Sequence, residues 1–172
     1  MKRVLIIGCC GAGKSTFARK LAAATGLDVI HLDQAYWQPD WTETPKAEWE
    51  AKVTQLVKRD TWIMDGNYAS SLPIRIPRAD TIFYLDYPMV KCLWRVTKRV
   101  AKYHGQRRPD MPPGCHERFD LEFFHYVATF NLTRRKLIQR HLAGLGPGQR
   151  LFTFSTDREV DGFLAGLPDR IA

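Results

Sequence analysis

The chain has 172 residues, 45% apolar and 26% charged, the balance of a folded domain with a sizeable core and not of a disordered segment. No stretch approaches the ~18 uninterrupted apolar residues of a membrane-spanning helix, and the net charge is +8. Four cysteines, two of them adjacent, do not make a disulfide framework and point to a reducing, cytoplasmic setting.

The opening "MKRVLIIG" is too short an apolar run for a secretion signal, and Val4–Ile7 reads as a strand ending at Gly8. "GCCGAGKST" follows, with Gly8, four residues, then Gly13-Lys14-Ser15. This is the spacing of a phosphate-binding loop. Backbone N–H groups around Gly11 and Gly13 point at phosphate oxygens, and the next helix adds its positive end. Gly8, Gly11, Ala12, Gly13, Lys14, Ser15 and Thr16 are therefore the expected ATP contacts. Lys14 reaches the β- and γ-phosphates, and the Ser15 hydroxyl ligates Mg²⁺. Cys9 and Cys10 occupy variable positions that contribute backbone, so they read as small fillers.

Lys14–Ala24 predicts a helix closed by Gly26. "DVIHLD" (28–33) predicts a second strand and residues 47–60 a helix. "TWIMDG" (61–66), "DTIFYLDYP" (80–88) and "RLFTFS" (150–155) are three more strands. Thr156 with Glu159 forms a capping box for a last helix over roughly 157–167. This alternation predicts βαβ units, a parallel sheet with helices on both faces, and one domain over 1–172. The irregular "YHGQRRPDMPPGCHERFD" (103–120), broken by Gly and Pro, reads as a functional insertion.

Three predicted strands end in Asp: Asp33, Asp65 and Asp86. Asp also serves turns, and for Asp86 the turn reading weighs as much as the functional one. Asp65, joined to a Gly turn in "DGNY", suits a metal site, and Asp33 suits a general base on an acceptor hydroxyl; the reverse assignment fits the sequence too. Between Lys91 and Arg140 lie twelve Lys/Arg and four acids, which accounts for the whole +8. That segment should meet something anionic. Arg95 and Arg99 share a helix face with Lys91 and Lys102. Arg99, Arg107 and Arg108 are the expected catalytic cations, and Arg95, Arg134 and Arg135 the expected nucleotide-binding ones. Arg118 and Arg140 read as surface charges. Tyr36, Trp37 and Trp41 either stack on a planar acceptor or cover the sheet. Phe123, Val127 and Phe130 fall at helical spacing and read as core.

Together, "GCCGAGKST", "HLDQAYWQPDW", "WIMDGNY", "LDYP", "RPDMPPGC" and "FNLTRR" resemble the adenylate-kinase-like proteins called DNA topology modulation proteins. The resemblance runs from about Lys2 to Arg140. It implies an α/β, three-layer α/β/α P-loop NTPase fold with a five-stranded parallel sheet in order 2-3-1-4-5 and an Arg-rich lid. "DGNY" resembles the Asp-Gly turn near metal and acceptor in adenylate kinases. Asp33 resembles the acceptor-binding Asp of shikimate- and gluconate-kinase-like enzymes, and "RVTKR" resembles the paired arginines entering an adenylate kinase lid. "DGNY" lacks the Pro-Arg that follows this turn in adenylate kinases, which argues against AMP as acceptor. The leading expectation is an ATP- and Mg²⁺-dependent kinase of a small molecule, possible acceptors including nucleosides and nucleotides. Its rivals are a nucleotide-regulated DNA-binding protein and a plain NTPase.

Overall fold

Val4, Leu5, Ile6 and Ile7 are all fully buried, so the first strand, β1 (Arg3–Gly8), is covered on both faces. Only a sheet sandwiched between helices permits this. The computed structural model describes residues 1–167; the last five of the expected domain lie outside it. From β1 the chain passes through α1 (Lys14–Thr25) to β2 (Val29–His31), and then a short turn of helix, α2 (Leu32–Tyr36). A small hairpin follows, β3 (Trp37–Gln38) and β4 (Thr42–Glu43). Next come α3 (Lys46–Leu56), β5 (Trp62–Asp65), α4 (Leu72–Arg75) and β6 (Thr81–Leu85). The helices α5 (Met89–Tyr103), α6 (Leu121–Thr133) and α7 (Arg135–Ala143) precede β7 (Arg150–Phe154) and α8 (Asp157–Ala165).

The main sheet runs β2-β5-β1-β6-β7 and every pairing is parallel. Counting only its own five strands, that is the expected order 2-3-1-4-5. Against it pack Phe17 of α1 and Phe163 of α8, which meet Phe83 at 4.9 and 5.0 Å between ring centroids. Each such ring contributes roughly 2–3 kcal/mol by leaving water. The α8 capping box between Thr156 and Glu159 is present as expected.

Two elements differ from the sequence reading. The second strand stops at His31, where its register with β5 ends at Asp65, and Asp33 lies in the first turn of α2 instead of at a strand end. The segment that carries Trp37 and Trp41, to which the sequence reading assigns no element, forms the hairpin β3–β4. Its turn places Asp40 and Trp41 in the left-handed region, at φ 59° and 60°. The 103–120 insertion holds two isolated bridges, His104 to Glu117 and Arg107 to His116, with backbone turns at Gln106, Met111 and Cys115.

Candidate active site

The registers Ile6–Asp65, His31–Asp65 and Gly8–Leu85 bring the ends of four strands, β1, β2, β5 and β6, to one edge, and a cleft of about 550 Å³ opens there. One wall is the phosphate loop. Gly11 adopts φ 82°, and a Cβ there would run into the Cys92 carbonyl, so the loop lies directly on α5. Gly13 starts α1, whose first turn carries no acid to offset its positive end. Gly11, Ala12, Gly13, Lys14, Ser15 and Thr16 all line the cleft, while Gly8 ends β1 beneath it. The Lys14 ammonium donates to the Cys9 carbonyl at 3.0 Å.

Asp33 and Asp65 share the opposite wall, although one comes from a helix turn and the other from a strand end. Asp65 is buried, with Oδ1 2.6 Å from His31 Nδ1. Burial works to lower the His31 pKa, but the hydrogen bond and charge of Asp65 prevail and raise it. The Tyr68 hydroxyl donates to Asp33 at 2.7 Å. Burial lifts the Asp33 carboxyl above the usual range, against the pull of Tyr68 and of the Lys14 charge. Gly66, at φ 141°, lets the backbone press on Leu32, where a Cβ would fall 2.8 Å from the leucine's own.

This wall is held from behind by Arg75, which is fully buried. Its guanidinium donates to the carbonyls of Gly66 (3.0 Å), Asn67 (3.4 Å) and Tyr68 (2.9 Å) and to Ser71 Oγ (3.1 Å). Burial lowers its pKa to about 9, which leaves it charged at neutral pH.

The insertion forms the third wall. Arg99 and Arg108 both line the cleft, and both reach buried Glu117, at 3.3 and 2.6 Å; Arg108 also pairs with Asp110 at 3.0 Å. Side-chain bonds tie the insertion to the segment after β2, beside one backbone bond from the Asp40 N–H to the Gly114 carbonyl at 3.4 Å. Gln34 donates to the Pro109 carbonyl, Trp41 Nε1 to the His116 carbonyl, and Cys115 Sγ to the Gln38 carbonyl. Trp41, Trp37, Tyr36 and Trp49 meet edge-to-face in that order. Tyr36, Trp37 and Trp41 lie outside the cleft lining, so they do not reach an acceptor there, and Trp41 anchors the insertion.

Other expected cations are placed differently. Arg95 lines the cleft, donates to the Ala12 carbonyl at 3.4 Å and pairs with Asp157 at 2.5 Å. Arg107 is exposed and donates to the Met111 carbonyl at 3.4 Å, within the insertion. Arg134 is exposed between α6 and α7, and Arg135 grips Asp86 through Nε (2.9 Å) and Nη2 (2.6 Å). None of these three lines the cleft, because each is bound or directed elsewhere by its own element. Asp86 is thereby a structural partner, as its turn reading allows. The positive segment is also less positive than it reads, since Asp86 and Asp157 reach in from outside it to Arg135, Lys91 and Arg95. Cys9 is buried against Cys92, and Cys10 borders the cleft.

The sequence reading missed His31, Tyr68, Arg75, Glu117 and Asp157. Tyr68 sits inside "DGNY", and Glu117 is one of only four acids in a basic run, so both carried a signal. Arg75, in "LPIRIPRAD", carried none.

No protein-family model matches the sequence, and comparison with curated proteins finds no match. Solved structures share the fold. Shikimate kinase from Acinetobacter baumannii in complex with shikimate superposes with a TM-score of 0.59 at 15% identity, over 94% of this chain and 88% of that one. Deoxyadenosine kinase from M. mycoides, with products dCMP and dCDP, gives 0.54 at 12% identity, over 95% and 97%. A putative kinase from Chloroflexus aurantiacus gives 0.52 at 15%, over the whole of both chains. The chain therefore has the fold of P-loop kinases.

Proposed function

We propose that this protein transfers the γ-phosphoryl group of ATP to a hydroxyl of a small molecule. One observation carries the reading: the phosphate loop with Lys14 and Ser15 lines the same cleft as Asp33 and Asp65. The kinase-like fold supports it, and so does the motif set shared with DNA topology modulation proteins, whose family name specifies no reaction. In this reading, loop N–H groups and Lys14 hold the β- and γ-phosphates. Asp33 accepts the proton of the attacking hydroxyl, and burial that raises its pKa strengthens it as a base. Arg99 and Arg108 turn their remaining N–H edges toward the transferring group, pre-aligned by Glu117. Arg95 steadies the loop through Ala12.

Magnesium suits the donors here, since the Ser15 hydroxyl and the Asp65 carboxylate are hard oxygen ligands. Bound there, it would neutralise charge on the phosphate oxygens.

The test is incubation with γ-labelled ATP and a panel of nucleosides, nucleotides, sugars and polyols. A phosphorylated product that disappears in Lys14→Ala and Asp33→Asn is expected. Absence of any product from folded, ATP-binding protein would sink the proposal. Lys98 lies 4.7 Å from the exposed Trp94 ring on α5, which favours duplex or single-stranded nucleic acid as a second reading. That reading requires salt-sensitive binding that Lys98→Glu and Lys102→Glu abolish.

A further inference from the structure

Phosphate or carboxylate groups on an acceptor need a cation that is not already balanced. The cations lining the cleft are Lys14, Arg19, Lys20, Arg95, Arg99 and Arg108; of these, Lys20 pairs with Asp161 and Arg95 with Asp157. Arg108 is held between Asp110 and Glu117, and Arg99 is held by the same Glu117. Arg75 is turned away into the backbone of residues 66–68. Lys14 belongs to the donor phosphates in the reading above, and Arg19 is exposed on α1, where solvent screens it. Apart from Lys14 and the exposed Arg19, every cation lining the cleft is thus already paired with an acid, and Asp33 and Asp65 add negative charge to the same lining.

We infer that the acceptor is an uncharged hydroxyl compound, a nucleoside or polyol, and that acceptors carrying a phosphate or carboxylate are rejected. This rests on the phosphotransferase reading. Paired arginines keep N–H edges for a phosphoryl group shared with the loop, but no surplus charge for a second anion. Carboxylates at the far wall accept hydrogen bonds from hydroxyls and repel anions. Glu117 and Asp110 therefore act as specificity-determining residues, because they withhold Arg108 from the substrate.

The prediction is read by calorimetric titration of the full chain loaded with Mg²⁺ and a non-hydrolysable ATP analogue, using inorganic phosphate and AMP as anionic probes. Asp110→Asn and Glu117→Gln each release Arg108 from one carboxylate. Both variants should bind the probes at least about tenfold tighter than the wild type, and Arg108→Gln added to either should cancel the gain. Wild-type protein that binds either probe as tightly as the variants overturns the inference. Should Glu117→Gln unfold, Asp110→Asn, whose side chain is nearer the solvent, gives the same comparison. Failure of the analogue itself to bind defeats the phosphotransferase reading, and the wild-type and variant titrations without it still decide the charge question. In the transfer assay, matched pairs such as a nucleoside and its monophosphate should differ by about 100-fold in kcat/KM in favour of the uncharged member; preference for the charged member overturns the inference.

Discussion

The two walls of the cleft are built on different principles. The loop wall is backbone: its groups are amides placed by Gly11 and Gly13, and only Lys14 and Ser15 contribute side chains. The facing wall consists of paired side chains, His31 with Asp65, Tyr68 with Asp33, and Arg75 with three carbonyls. A backbone wall binds what every nucleotide shares, whereas a side-chain wall is free to specify one acceptor. The comparison explains why the donor was easier to read than the acceptor.

The contrast can be broken from either side. Lys14→Ala should leave the fold intact, since Lys14 touches only the Cys9 carbonyl, and should lower phosphoryl transfer by about 10³-fold in steady-state kinetics. Arg75→Leu does the reverse. It strands three backbone carbonyls in the interior, so chemical denaturation should show a loss of about 3 kcal/mol, while the protein that remains folded still binds ATP.

A finer test is Tyr68→Phe, which removes one hydrogen bond to Asp33 and should cost about 1 kcal/mol of stability. Because that bond holds the Asp33 pKa down, its loss raises the pKa further. The acidic limb of the pH–rate profile should then move to higher pH, a shift that a purely structural tyrosine would not produce. The smallest effect belongs to Asp157, near the donor end. Partial burial works to raise its pKa, yet hydrogen bonds from Lys91, Arg95 and Tyr87 hold it well below the usual range. Its stabilisation is fully present above about pH 3.9 and fades as pH falls through the depressed value. Half-exposed as it is, Asp157→Asn should cost only a few tenths of a kcal/mol at neutral pH, measured by thermal unfolding, with a gap that narrows in acid.

The parallel sheet and the loop were legible because they rest on local pattern: β-branched runs, a glycine spacing, and alternation of strand and helix; the strand order followed only from the family resemblance. Asp33 and Asp65 were legible as residues but not as geometry. The strand read through to Asp33, because nothing in "DVIHLD" marks the point where its partner ends. The arginines were legible as a charge excess and misleading in their destinations. Arg135 found Asp86, 49 positions away, and no periodicity encodes a contact of that kind. Arg75 and Glu117 owe their importance to full burial, which one sequence cannot express for a charged residue.

The bonds between the insertion and the segment after β2 have a consequence for how the molecule assembles. Gln34 with Pro109, Trp41 with His116, and Gln38 with Cys115 join positions 75 to 77 residues apart. Closing segments so distant costs chain entropy that only a formed sheet can offset. The phosphate loop takes a similar tie from α5, through Gly11 on the Cys92 carbonyl and Arg95 on the Ala12 carbonyl, 83 positions away. A growing chain therefore seats the loop only once α5 has emerged, and closes the third wall of the cleft only once residues 109–116 have docked.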